Sequence, residues 1–99
     1  MRLILSRRAK EDLLEIWQFI ADHDEVAADR YIDHLRDRAS ELLDFPELGR
    51  VRDEIHPSVR SLLARNHLVF YKREGQEVQI LRILHGSMDL PHQKLEDEI

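Results

Sequence analysis

Cysteine is absent from the 99 residues. That excludes a disulfide framework and any thiolate metal site, and it fits a reducing compartment such as the cytoplasm. Glycine and proline number only three each, too few for a repetitive or low-complexity chain. No apolar run approaches the roughly 20 residues of a membrane span, and Met1-Arg2 leads straight into a short apolar stretch, not a secretion signal. Basic charge is in deficit, with a net charge of −5; residues 1–50 hold 8 Lys/Arg against 12 Asp/Glu, and residues 51–99 hold 7 against 8. Such a surface attracts phosphate backbones weakly, so no direct binding of nucleic acid by the chain alone is expected. The six histidines (His23, His34, His56, His67, His85, His92) include no pair at the i, i+4 ligand spacing of a helix. No metal and no cofactor is therefore expected.

What is present is a chain of single-domain length with one core. Residues 66–89 organise it. Two apolar segments rich in β-branched and aromatic residues, 67–72 and 78–85, flank the polar link Arg73-Glu74-Gly75-Gln76-Glu77. They predict a β-hairpin with a loop of about five residues. Strict alternation would put Val78, Ile80, Arg82 and Leu84 on one face, with His85 at the strand's end. Ahead of the hairpin, residues 3–5 predict a short strand and Ser6 an N-cap. Ala9, Leu13, Ile16, Trp17 and Ile20 then recur at helical spacing, to an end near 22–24. Asp24 caps a second helix whose stripe is Ala28, Tyr31, Ile32, Leu35, Ala39, Leu42 and Leu43, stopped by Pro46. Residues 44–58 form the one long connection, 59–65 a further strand, and 88–99 a polar tail with a frayed helical turn. The resulting fold is α+β: β-α-α-β-β-β, an antiparallel sheet packed against an N-terminal helical hairpin, in a single domain over 1–99.

These pieces resemble a known family. LSRRAKEDLLEIWQFI at the start, FPELGR after the second helix, VR at 59–60, HLVFYK, and VQILRILHGSMD occur in the order and spacing of the ParE branch of the ParE/RelE toxin superfamily. The resemblance covers almost the whole chain. It implies the β-α-α-β-β-β fold and the toxin of a type II toxin–antitoxin pair, neutralised by a small ParD-like antitoxin in a hetero-oligomeric complex. It further implies DNA gyrase as the target, inhibited by binding. The alternative is the RelE-like branch, a ribosome-dependent mRNA endonuclease; a third reading is an inactive relative that binds only its antitoxin.

Arg50, Arg52, Arg60, Arg82 and His85 are the candidate target-binding residues. In a nuclease, Arg60 and Arg82 would neutralise developing phosphate charge and His85 would transfer the proton. The aromatic that the nuclease branch often carries next is missing, replaced by Gly86 and Ser87. That absence and the acidic balance favour a toxin without catalytic residues. The opposing reading of Arg82 is structural, an ion pair with a helix carboxylate such as Glu15 or Asp12. Phe19, off the main stripe, is the candidate exposed contact, and with Tyr31 and Leu35 forms the expected antitoxin-binding set. Trp17 is expected in the core.

Overall fold

A computed structural model gives the fold, described for residues 1–87. The elements are β1 (Arg2–Leu5), α1 (Arg7–Ala21), α2 (Glu25–Ser40), a 3-10 turn (Glu41–Leu43), β2 (Arg50–Val51), β3 (Arg60–Ala64), β4 (His67–Glu74) and β5 (Glu77–His85). Among the described residues no helix is long and apolar enough to cross a membrane. The expected polar tail at 88–99 lies outside the described residues.

Both helices begin as their caps dictate. Ser6 Oγ accepts the Ala9 N–H at 3.0 Å, and Asp24 Oδ1 accepts the Ala27 N–H at 3.1 Å. The second helix stops earlier than its apolar stripe suggests. It tightens into the 3-10 turn at Glu41, which still buries Leu42 before Pro46 ends helical geometry.

The five strands form one sheet in the order β1-β5-β4-β3-β2. The sheet is mixed, not wholly antiparallel: β1 runs parallel to β5, Leu3 opposite Val78 and Leu5 opposite Ile80. Parallel neighbours need a crossover connection, and the helical hairpin begins that crossover. A short strand within the long connection, β2, pairs antiparallel with β3. The β4–β5 turn is tighter than expected, with Glu74 opposite Glu77 and two residues between them. Gly75 at the first of these has φ of +59°, the conformation a two-residue hairpin asks of glycine.

A bulge also breaks the expected alternation. Tyr71 faces Ile80 while Phe70 faces Arg82, so Leu81 is the extra residue. Beyond it Ile83, not Leu84, joins Val78 and Ile80 in the main core, with Leu13, Leu35, Leu42, Val69 and Tyr71. Leu84 joins Leu81, Phe70 and Val59 in a smaller cluster, against which Ile55 of the long connection packs. The sheet is thus apolar on both faces, one covered by helices and the other in part by the 52–58 segment.

Candidate functional site

The bulged end of β5 meets α1 where β1 has already ended. Ser6 finishes the β1 pairing, its N–H donating to Ile80 O at 2.9 Å and its hydroxyl to Leu81 O at 2.8 Å. The next outward donor, the Ile83 N–H, has no strand to meet. Asp12 of α1 replaces one: its Oδ2 accepts the Ile83 N–H at 2.9 Å. The same carboxylate takes Arg82 in a two-pronged grip, Nε to Oδ2 at 2.9 Å and Nη2 to Oδ1 at 3.1 Å. Asp12 is 6 % exposed and Arg82 5 %. The structural reading of Arg82 therefore holds, and Asp12 is its partner. As a surface contact for a target Arg82 is poorly placed: it reaches the edge of the neighbouring cleft, but it is buried and its charge is met by Asp12.

Beside this pair opens a cleft of about 420 Å³ with Ile16, Phe19 and Ile20 on the α1 side and Tyr31, His67 and His85 opposite. His67 and His85 are cross-strand partners, their rings edge to face at 5.4 Å. Tyr31 Oη lies 2.6 Å from His67 Nδ1, so α2, β4 and β5 each give one member of the cluster. Burial first, then the charge of His85, hold the His67 pKa below its usual range, with Asp12 opposing. His85 is exposed; its Nδ1 lies 2.7 Å from Ser87 Oγ and accepts the Ser87 N–H at 3.1 Å. His67 entered the sequence reading as a strand residue and as one of six histidines without metal-ligand spacing, not as a site residue. The signal for its pairing with His85 is the hairpin register, which a five-residue loop would have shifted.

The other three arginines do not line this cleft. Arg60 Nη1 donates to the carbonyls of Gly49 at 2.9 Å and Glu47 at 3.3 Å, pinning the 46–49 loop. Arg52 donates to Glu54 at 2.8 Å and Ser61 Oγ at 3.1 Å and lies 5.5 Å from the centre of the Phe70 ring. Its guanidinium holds the Glu54 carboxyl below the usual range. Arg50 is exposed on β2, opposite Ser61. The five candidates thus divide: Arg82 and His85 at the cleft, Arg50, Arg52 and Arg60 around the long connection. Among the described residues no three His, Asp or Glu side chains gather to hold a metal ion.

Of the expected antitoxin contacts, Phe19 is 76 % exposed on the cleft rim and Tyr31 is half-buried within it. Leu35 is corrected. It is 1 % exposed in the main core, one turn beyond Tyr31 on the stripe that α2 presses onto the sheet. Trp17 is half-buried against the core, its indole N–H donating to Asp29 Oδ1 at 2.8 Å.

Residues 3–90 match the family model described as the ParE toxin of the type II toxin–antitoxin system, parDE. Toxin ParE1 of Mycobacterium tuberculosis is 35% identical over 91 residues, covering 90% of this chain and 93% of that protein. Toxin ParE1 of Caulobacter vibrioides is 37% identical over 87 residues, covering 86% and 88%. A solved structure described as the chromosomal ParDE TA system from P. aeruginosa superposes with a TM-score of 0.76 at 25% identity, covering 86% of this chain and 95% of that one. With a family model spanning most of its length, and with this element order, the chain belongs to the ParE toxin family of type II toxin–antitoxin systems.

Proposed function

We propose that this chain acts by binding and not by chemistry, inhibiting DNA gyrase by occupying a surface in the cytoplasm. We further propose that a ParD-like antitoxin neutralises it in a hetero-oligomeric complex. The buried Arg82–Asp12 pair is the observation that carries the reading of binding without chemistry; gyrase as the target rests on the family alone. RNA cleavage needs a cation where phosphate charge develops, next to a proton-transfer group. In the cleft that holds His85, the arginine is already neutralised, while Arg60 is committed to loop carbonyls. The parDE description of the family and the ParDE title of the similar solved structure support the second part. Phe19 and Tyr31 remain proposed antitoxin contacts; Arg50, Arg52, Arg60 and His85 remain proposed target contacts.

The test uses the purified chain in two reactions. Gyrase supercoiling should be inhibited and restored by the product of the neighbouring reading frame, while mRNA in a translating extract stays intact. Cleaved mRNA with undisturbed supercoiling would replace the gyrase reading with the nuclease one. A stable complex with neither effect would identify an inactive relative.

A further inference from the structure

We propose that the cleft between the C-terminal half of α1 and the His67–His85 pair binds a small organic cation, an ammonium group carried on an apolar, ring-bearing body. The site stands apart from the gyrase and antitoxin readings and needs neither of them to hold.

The wall opposite α1 is built of rings. Tyr31 and His67 meet edge to face, centroids 5.4 Å apart at 69°, and His67 and His85 repeat the arrangement at 5.4 Å and 80°. With neighbouring planes turned nearly perpendicular, the row offers π faces as well as edges. The Nδ1 atom of each imidazole is already engaged, by Tyr31 Oη at 2.6 Å in His67 and by the Ser87 N–H at 3.1 Å in His85. An incoming ligand therefore meets chiefly ring surface. Burial first, then the charge of His85, hold His67 below its usual pKa, so that ring is neutral at pH 7 and does not repel a cation. Facing the rings, Ile16, Phe19 and Ile20 of α1 and Ile83 of β5 supply an apolar lining.

Charge selects the sign of the ligand. The charged side chains lining the cleft are Asp12, Glu15 and Arg82. Asp12 and Arg82 offset each other in their buried pair. Glu15 makes no ion pair among the described residues, so the lining keeps one uncompensated negative charge. An anion would meet that charge and find the guanidinium already taken. A neutral molecule would use only the apolar lining. A cation gains both the Glu15 carboxylate and the ring faces. Size selects a small molecule: about 420 Å³, flanked by α1, α2 and the β4–β5 pair, falls within the roughly 300–1,000 Å³ of small-ligand pockets.

Three probes of similar shape separate charge from apolar contact: 2-phenylethylammonium, 2-phenylethanol and 3-phenylpropionate. Each is titrated into the full chain at about pH 7.5, above the ordinary imidazole range, and followed by NMR of the His67, His85 and Phe19 rings. The ammonium should shift all three rings saturably with a Kd of about 1 mM. It should bind about fivefold tighter than the alcohol, and the carboxylate should bind more weakly than either. Glu15→Gln should cut the fivefold advantage to less than about twofold, and Glu15→Lys should turn the preference to the carboxylate, with both folds checked by amide spectra. Equal binding of the three probes, no binding, shifts confined to residues outside the cleft, or a preference that Glu15→Gln leaves intact overturns the proposal. A peptide alternating leucine with lysine that shifts the same rings about tenfold more tightly than the ammonium would give the cleft to a protein segment, and so overturn the small-molecule assignment.

Discussion

Arg60 and Tyr71 stand opposite each other on β3 and β4, and both hold the same loop. Arg60 takes the Glu47 and Gly49 carbonyls; Tyr71 Oη donates to Pro46 O and accepts the Gly49 N–H, each at 2.8 Å. The loop is drawn so close that a Cβ on Gly49 would lie 2.6 Å from Tyr71 Oη and 2.9 Å from Ser61 O. Gly49→Ala should therefore cost about 1–3 kcal/mol, read from the urea midpoint. Tyr71→Phe should cost a similar amount by stranding the Gly49 N–H. The double variant should not recover, because the ring carbon at 2.7 Å and the Ser61 backbone remain. A neutral Gly49→Ala would refute this account of FPELGR.

Breaking the Asp12–Arg82 pair from one side leaves a buried charge, worth about 3–5 kcal/mol of lost stability. Arg82→Ala should lower the melting temperature and lose toxicity and partner binding together. Arg82→Lys should rescue only in part, since an ammonium cannot reproduce the two-pronged grip. Loss of toxicity at unchanged melting temperature would instead make Arg82 a recognition residue.

Acid should destabilise the fold through His67. Its folded pKa lies below the ordinary value of about 6.5 that the unfolded chain restores. The unfolded state therefore binds more protons, and stability present above that value is lost as pH falls from it toward the folded pKa. The drop in melting temperature between about pH 7.5 and 5.5 should shrink in His67→Gln, and in part in His85→Gln, which removes a neighbouring charge. Imidazole NMR showing His67 titrating at or above its usual value would sink this.

On the gyrase reading His85 acts by contact alone, so His85→Gln should keep most toxicity. A proton-transfer role would lose about 10²–10⁴-fold. Growth arrest under graded induction distinguishes them, provided the variant still binds its antitoxin.

The helices were legible because their caps and their stripes agree: Ser6 and Asp24 are local signals that need no knowledge of the fold. The pairing of Arg82 was legible as an alternative, since a cation among apolar neighbours requires an opposite charge. The direction of β1 was not, because four apolar-rich residues pair equally well either way and the choice lies in the crossover. Nor was the bulge at Leu81. With apolar side chains on both faces of β5, a slip of one residue leaves the pattern unchanged. Leu35 was misplaced among contacts because a helix stripe does not say which of its members the sheet covers first.

The parallel pairing of β1 with β5 also sets a clock on synthesis. The strand that completes the pairing of residues 2–5 lies at residues 77–80, and Asp12 waits for Arg82. The helical hairpin needs only neighbours and forms early, whereas the sheet must wait for almost the whole described chain to leave the ribosome. A translation product broken off before Glu77 lacks an inner strand and cannot bury Leu3, Leu5 or Leu13 against it. The sheet is thus incomplete until Glu77–His85 has emerged, and a partner that reads the finished sheet meets it only after that strand is in place.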